Sequence, residues 1–163
     1  MPVPSIILRI DDRLVHGQVI VGWGSYYPIQ EYAVVDDEIA ANEWERNLLI
    51  MAVPPTVEAQ VLTIPHGVAY IRKHLNAPGV RMVLVSSPRQ ILQMDALGLP
   101  LKTVNVGGMH FREGRKQYLN YLFLNAEEVH LFRQLMEKGY TFECQDVPTS
   151  GKVDLIKVLE RTK

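Results

Sequence analysis

The stretch IILRIDDRLVHGQV, residues 6–19, contains an apolar run that ends abruptly in a charged cluster. Residues 6–10 have the composition of a buried β-strand, because aliphatic and β-branched side chains pack well on a pleated surface that is covered on both sides. Two aspartates, an arginine and a histidine follow directly, at Asp11, Asp12, Arg13 and His16. Ligand sites of open parallel sheets lie beyond the carboxyl ends of the strands. The sequence therefore places its chemistry in the loop after this strand.

The rest of the chain alternates short apolar runs with longer stretches of helical period, which is typical of βα units. Strands are predicted near residues 5–10, 32–35, 58–62, 81–85, 103–106 and 142–144. Several of them are apolar almost throughout, as expected for strands covered by helices on both faces. We predict an α/β fold: a single domain over residues 1–163, doubly wound, with a mainly parallel central sheet and helices on both faces.

Helical periodicity and capping residues place helices between these strands. They are predicted in residues 17–27, 40–52, 89–97, 125–138 and 152–163. Ser87 is a suitable N-cap before Pro88, and Asn125 and Glu128 form a capping box. In the second helix the spacing of Ala41, Trp44, Leu48 and Met51 predicts the face that covers the sheet.

Composition excludes several classes of protein. The net charge of −1 supplies no basic field, so no nucleic-acid partner is expected. Cys144 is the only cysteine, which rules out an intrachain disulfide and fits a reducing compartment. Residues 1–4 contain no basic signal region, and the apolar runs are too short to span a bilayer. A cytoplasmic location is therefore expected.

The chemistry best matched to the loop is phosphoryl transfer. Neutral imidazole is a competent nucleophile near pH 7, and a guanidinium holds phosphate oxygens well, so His16 is the predicted carrier and Arg13 its electrostatic partner. Asp11 or Asp12 is expected to fix the tautomer of the imidazole, and the sequence does not choose between them. Gly17 is expected to permit a sharp turn or a close backbone approach. A helix starting at Gly17 and Gln18 would offer free N–H groups to the anion.

Other readings of the loop remain open. A histidine after a strand is often structural or merely exposed, and Asp12 with His16 would also suit an acid–base enzyme acting on a small molecule. The other four histidines are scattered, so no metal site is predicted, and no cofactor is expected. Loops of the types GxxxxGK[ST], GxGxxG and GxSxG are absent.

Residues at other strand ends are expected to surround His16. Candidate phosphate contacts are Ser86, Ser87, Gly107, Gly108 and His110, while Asp36 and Asp37 follow the second strand. Each has a structural alternative: a helix cap for Ser87, a tight loop for the glycines and simple packing for His110. Arg112 and Arg115 form a predicted basic rim, and Arg9 is expected to pair with a buried or edge carboxylate.

RIDDRLVHGQV, followed by Trp23, resembles the phosphorylation-site segment of the IIB subunits of the mannose/fructose/sorbose class of the bacterial phosphoenolpyruvate-dependent sugar phosphotransferase system (PTS). The similarity continues in VVDDEIAANEWERNLLIMAVPPTVEAQVLT (34–63), NVGGMHFREGRKQYL (105–119) and FECQDVPTSGKVDL (142–155). It covers nearly the whole chain, and the motif centred on HGQ is far more specific than a glycine pattern alone.

The resemblance implies a phosphocarrier, a protein-Nπ-phosphohistidine:sugar phosphotransferase component. A IIA subunit or domain would phosphorylate His16 at Nδ1, and His16 would pass the group to a sugar translocated by the membrane subunits IIC and IID. Arg13 carries over as the residue that stabilises the phosphate. The implied location is the cytoplasm, peripheral to the membrane through IIC and IID, and the family permits a homodimer. The alternative is a regulatory phosphoprotein of the same fold that moves no sugar.

Overall fold

The computed structural model describes residues 3–161 and is built on a seven-stranded sheet. The strands are β1 Ile6–Ile10, β2 Ile29–Val35, β3 Glu58–Leu62, β4 Val80–Val85, β5 Thr103–Val106, β6 Lys116–Leu119, β7 Leu122–Leu124, β8 Thr141–Cys144 and β9 Val153–Asp154. The helices are a π-helical turn at Val19–Trp23, then α1 Gly24–Tyr26, α2 Asp37–Ala40, α3 Glu43–Met51, α4 Ile64–His74, α5 Pro88–Asp95, α6 Ala126–Glu137 and α7 Leu155–Arg161.

The strand order of the main sheet is β3-β2-β4-β1-β5-β8-β9, so β1 lies in the middle. It pairs in parallel with β4 on one side and with β5 on the other, and its last residue, Ile10, aligns with Val85 and Val106. Only β9 runs antiparallel in this sheet, while β6 and β7 form a separate antiparallel hairpin. The predicted α/β class with a mainly parallel sheet is confirmed. The loop after β1 is thereby placed at the centre of the carboxyl edge.

Side chains of β1 alternate between two cores, one on each face of the sheet. Leu8 and Ile10 pack with residues of α4, α5, α6 and α7, whereas Ile7 packs with Val19 and Trp23 of the π-helical turn. Successive side chains of a strand point to opposite faces, so a strand covered on both sides needs apolar residues at every position. This burial explains why the strand sequences are almost continuously apolar.

Helix α4 was not predicted from the sequence, because Pro65 and Gly67 fall inside it. Pro65 stands in the first turn, where a helix needs no backbone donor, and Thr63 caps the helix by accepting from the backbone N–H of His66 at 3.3 Å. A Cβ at Gly67 would lie 2.5 Å from Cγ1 of Val35. The glycine therefore lets α4 lie close against β2.

The predicted covering face of the helix at residues 40–52 is wrong. Trp44, Leu48 and Met51 of α3 are 72%, 50% and 79% exposed, and Ala41 is also exposed. The helix is held instead through Leu49 and the following Val53, which pack into the core. Helix α3 lies beside β3, the edge strand of the sheet, where little surface is available to cover a second apolar face.

The other predicted caps and helices agree with the structure, apart from the ends of two helices. Ser87 caps α5 with Pro88 at its start, and Asn125 and Glu128 form the capping box of α6. The predicted helix at 152–163 begins with β9 and becomes helical only at Leu155, and residues 162–163 lie outside the described part of the chain. The helix predicted at 17–27 contains the π-helical turn. Within residues 3–161, no helix has the length and apolar character needed to cross a membrane.

Replacing Gly67 by alanine tests the close packing of α4. We expect Gly67→Ala to lower the free energy of unfolding by about 1–3 kcal/mol, because the added methyl group overlaps Val35. Urea unfolding followed by circular dichroism measures the change. Gly151→Ala is the matched control, since a Cβ there would meet nothing within 4 Å. Equal stability of the two variants would contradict the packing described.

Candidate functional site

The loop after β1 is a tight turn tied to both neighbouring strands. The backbone N–H of Leu14 donates to the carbonyl of Asp11 at 2.9 Å. The backbone N–H of Asp11 donates to the carbonyl of Val85 at 2.9 Å, and the backbone N–H of Asp12 donates to the carbonyl of Gly108 at the same distance. Leu14 adopts a left-handed backbone with φ of 58° and buries its side chain in the core. That conformation costs a non-glycine residue on the order of 1 kcal/mol, which burial of the leucine offsets.

The sequence assigned the turn to the wrong residue. Gly17 has no left-handed backbone, and a Cβ there would meet nothing within 4 Å. Gly17 is exposed and begins the helical segment that continues into the π-helical turn. Neither a sharp turn nor a close approach therefore requires glycine at this position.

Of the two aspartates that follow β1, Asp11 is the one that contacts His16. Nε2 of His16 lies 3.1 Å from Oδ2 of Asp11, and the carboxylate is 2% exposed. A carboxylate only accepts hydrogen bonds, so the contact places the ring proton on Nε2 and leaves the lone pair on Nδ1. The side chain of His16 retains 16% of its surface in solvent. The ring is thus fixed at one nitrogen and available at the other.

Arg9 lies beneath this contact and compensates the buried carboxylate. Its guanidinium is 3.6 Å from Oδ2 of Asp11, stands 4.7 Å from the centre of the Trp23 ring, and donates to Asn105 and to the carbonyl of Gln145. Burial lowers the pKa of Arg9, while Asp11 and Asp146 oppose the shift. The expected pairing of Arg9 with a buried carboxylate is therefore present, directly below His16.

Gly107 makes room for this arginine. A Cβ at residue 107 would lie 2.1 Å from a terminal nitrogen of Arg9, so only glycine fits above the guanidinium. The backbone N–H of Gly107 donates to the carbonyl of Ile10 at 2.7 Å. Gly107 therefore has the structural role that was the alternative to phosphate contact: it forms a tight loop close to Arg9.

Asp12 holds His110, whereas His16 is held by Asp11. Its Oδ1 lies 2.7 Å from Nδ1 of His110, and its Oδ2 accepts from Arg115 at 3.1 Å. Arg115 in turn makes two hydrogen bonds to Glu128, at 2.6 and 3.0 Å. Burial raises the pKa of Asp12, but hydrogen bonds from His110 and Arg115 outweigh it and hold that pKa below its usual value. The acid–base pair of Asp12 and His16 is therefore not formed.

Arg13 stands at the entrance to a small cavity beside His16. Its guanidinium donates to Oε1 of Gln18 at 3.2 Å, and both side chains are exposed. The cavity measures about 170 Å³ and is lined by Arg9, Asp11, Arg13, His16, Gln18, Val19, Trp23, Gly108, His110, Asn120, Tyr121 and Asp146. The exposed guanidinium of Arg13 makes the cavity suitable for a small anion next to the free Nδ1.

Several predicted neighbours of His16 lie elsewhere. Ser86, Ser87, Asp36, Asp37 and Arg112 line a second polar cleft of about 430 Å³, which does not include His16. Ser87 accepts from the backbone N–H of Arg89, and Asp36 caps α2, so both have structural tasks. Arg115 is 5% exposed at its side chain and fully paired, which removes it from the predicted basic rim.

Asn120, Tyr121 and Asp146 line the His16 cavity and were missed in the sequence. Asp146 follows the end of β8, so the rule about carboxyl ends of parallel strands was the signal that could have identified it. Tyr121 lies in the turn between β6 and β7, and no local pattern points from that hairpin to β1. Burial, with Cys144 and Asp146 nearby, raises the pKa of Tyr121 to about 12. Its hydroxyl therefore remains protonated at neutral pH.

No group of three or more potential metal ligands was found among residues 3–161. The residues around His16 include the exposed guanidinium of Arg13 and the amides of Gln18 and Asn120, which are donors to an anion, and the carboxylate of Asp11 beside them is already paired with Arg9 and His16. Within the described residues, the site thus suits a negatively charged group.

Comparison with known proteins points to one family. The family model described as "PTS system sorbose subfamily IIB component" matches residues 5–163. A PTS system fructose-specific EIIB component of Bacillus subtilis (strain 168) is 31% identical, over 94% of each chain. A PTS system mannose-specific EIIAB component of Escherichia coli (strain K12) is 30% identical over 95% of this chain and 48% of its own length. The crystal structure of the IIBSor domain of the sorbose permease from Klebsiella pneumoniae superposes with a TM-score of 0.84, at 29% identity, covering 97% of this chain and 98% of that one.

Neutralising Asp11 tests whether it sets the tautomer of His16. We expect Asp11→Asn to shift His16 from a ring protonated at Nε2 toward a mixture of tautomers, because a neutral acceptor holds the N–H about half as strongly. ¹⁵N NMR of the imidazole nitrogens measures the populations. Asp12→Asn is the matched control and should alter His110 while leaving His16 unchanged. A shift of His16 in that control would contradict the assignment.

The cluster of Asp12, Arg115 and Glu128 makes a prediction about stability and pH. The pKa of Asp12 is lower in the folded protein than in the unfolded chain. The ionised carboxylate therefore makes its full contribution to the free energy of unfolding above the ordinary carboxyl pKa. That contribution is lost as pH falls through the folded value, in the range below about pH 5. At pH 7 we expect the free energy of unfolding of Asp12→Asn to be about 3 kcal/mol lower than that of wild type. Urea titrations should show this difference shrinking below pH 5; a constant difference would contradict it.

Proposed function

The chain belongs to the sorbose subfamily of PTS IIB components, and on that basis we propose that His16 carries its phosphoryl group. A IIB component is a phosphotransferase subunit of a sugar phosphotransferase system, so the chain needs one nucleophile that accepts and releases phosphate. Of its five histidines, His16 is at the carboxyl end of the central strand and is held by a buried carboxylate. The contact between Nε2 of His16 and Asp11 carries the proposal.

The proposed step transfers the phosphoryl group between two histidines. The lone pair on Nδ1 of His16 attacks the phosphorus of a donor phosphohistidine as the donor's own N–P bond breaks. The donor nitrogen recovers its electron pair, and the proton on Nε2 of His16 stays in the hydrogen bond to Asp11. The phosphorylated ring then carries positive charge on the side that faces the carboxylate at 3.1 Å. Asp11 thereby stabilises the product.

Arg13 is proposed to bind the phosphoryl oxygens, because its exposed guanidinium borders the cavity and is oriented by Gln18. His110 is proposed as a second contact in its doubly protonated form, because Asp12 accepts from Nδ1 and Nε2 donates to an oxygen of the anion only when it also carries a proton. Gly108 also lines the cavity, and Gly17 and Gln18 follow His16 directly. Ser86, Ser87 and Gly107 are not included, because the serines line the other cleft and Gly107 packs on Arg9.

The proposed partners follow from the family. The donor is a IIA subunit or domain, which fits the naming of the Escherichia coli relative as an EIIAB component. The acceptor is a sugar bound by the membrane subunits IIC and IID, and the chain works as one IIB domain over residues 1–163 on the cytoplasmic face of the membrane. The small size of the His16 cavity supports this arrangement, because it holds a phosphoryl group and leaves sugar recognition to the partner.

Phosphorylation of the purified chain tests the role of His16. Incubation with phosphoenolpyruvate, the general PTS proteins and a cognate IIA should place acid-labile phosphate on wild type and none on His16→Ala. His130→Ala is the matched control, since His130 is exposed on α6 away from the loop, and it should be labelled like wild type. Arg13→Gln should lower the rate by about 10²-fold, in line with the loss of one charge-stabilising group.

Labelled His16→Ala, or unlabelled wild type, would contradict the proposal. Discharge of the phosphate to sugar in vesicles that contain IIC and IID then separates transport from regulation. A phosphorylated chain that never loses its phosphate to sugar there would be the regulatory phosphoprotein.

A further inference from the structure

Helix α3 carries an apolar stripe that the fold does not use. Trp44, Leu48 and Met51 are spaced four and three residues apart, so they share one face of the helix. Their exposed fractions are 72%, 50% and 79%. A single exposed apolar residue is ordinary, but three large ones in line, including a tryptophan and a methionine, have the composition of a protein interface.

The stripe is not needed to attach the helix. Leu49 and Val53 pack into the core, Asn42 caps the first turn, and the guanidinium of Arg46 donates to the carbonyl of Ala40 at 2.6 Å. These contacts leave the face of Trp44, Leu48 and Met51 free. It is therefore available to a partner.

Two acidic residues, Glu43 and Glu45, flank Trp44 in the chain and form an acidic rim beside the stripe. Both are exposed, and among residues 3–161 neither carboxylate has an ion-pair partner. The one basic residue of α3, Arg46, donates to the carbonyl of Ala40. The charge of Glu43 and Glu45 is therefore available to an outside partner.

The charge distinguishes between three kinds of partner. The cytoplasmic surface of a membrane is anionic and repels an acidic rim. A second copy of the chain would bring two acidic rims together, which is also unfavourable. Basic segments of proteins are complementary, and the cytoplasmic loops of membrane proteins are rich in lysine and arginine.

We propose that the stripe of Trp44, Leu48 and Met51, with its acidic rim, docks a basic, apolar-faced cytoplasmic segment of the membrane subunits. This inference rests on the proposed function, which requires the chain to meet both a phosphoryl donor and a membrane acceptor. The stripe lies beside β3, which is three strand spacings from β1, or about 14 Å across the sheet. The chain can therefore stay bound to the membrane subunits through α3 while the donor reaches His16.

The experiment measures binding of the full chain to vesicles that contain IIC and IID. Trp44→Ser combined with Leu48→Ser should weaken binding about tenfold or more, because central aromatic contacts dominate interface energies. Phosphorylation of His16 by IIA without vesicles should stay within about twofold of wild type for this double variant, since surface substitutions rarely alter a distant site. Glu43→Lys with Glu45→Lys should also weaken binding, and added salt should weaken binding of wild type. Leu97→Ser is the matched control, 48% exposed just beyond α5, and should bind normally.

Unchanged vesicle binding of the double serine variant would overturn the docking proposal, and so would equal binding of wild type to anionic vesicles that contain no protein. The proposal would also fail if the double serine variant lost self-association in sedimentation while its vesicle binding stayed intact, because the stripe would then bind a second copy of the chain. Absence of phosphate on wild-type His16 would overturn the proposed function instead, and it is measured separately without vesicles. The two failures are thus distinguishable.

Discussion

A buried carboxylate, Asp11, is the group on which the site depends. Removing such a charge from water is expensive unless ion pairs and hydrogen bonds replace the solvent. Here the replacement comes from Arg9 below, from Nε2 of His16 above and from the backbone N–H of Arg13 at 3.1 Å. The requirement to satisfy Asp11 is therefore the same requirement that orients His16. It leaves Nδ1 as the free nitrogen, so stability and chemistry are provided by one set of contacts.

The two adjacent aspartates serve different parts of the molecule. Asp11 faces the layer that contains Arg9 and the end of β8, and Asp12 faces His110, Arg115 and the start of α6. Neighbouring residues after a strand point to opposite sides, which lets one dipeptide anchor two histidines. The left-handed turn at Leu14 then returns the chain to bring His16 back over Asp11. Asp11, Asp12, Leu14 and His16 thus build the proposed nucleophile and its environment from the end of one strand.

Phosphate chemistry and the proposed attachment to the membrane subunits use separate parts of the sheet. His16 follows the central strand, while the exposed stripe of α3 lies beside the edge strand β3. On the proposed function, a carrier that meets two partners at one histidine cannot hold both there at once. The proposed second surface at the sheet edge would let the carrier exchange one partner without releasing the other.

The sequence by itself determined the α/β class, the strands of the parallel sheet and the caps at Ser87 and Asn125, and it predicted the proposed chemical pair of His16 and Arg13. These features depend on local pattern: apolar runs, capping residues and the position of a loop after a strand. Tertiary structure alone decided that Asp11 holds His16 and Asp12 holds His110, that Ser86 and Ser87 belong to another cleft, and that Trp44 faces solvent. Adjacent aspartates are indistinguishable in a sequence, and an amphipathic helix does not reveal which of its apolar residues finds a surface to cover. The surroundings of the two aspartates depend on contacts between residues about 100 positions apart, such as Asp12 with Arg115 and Arg9 with Asn105, which form only when the sheet assembles.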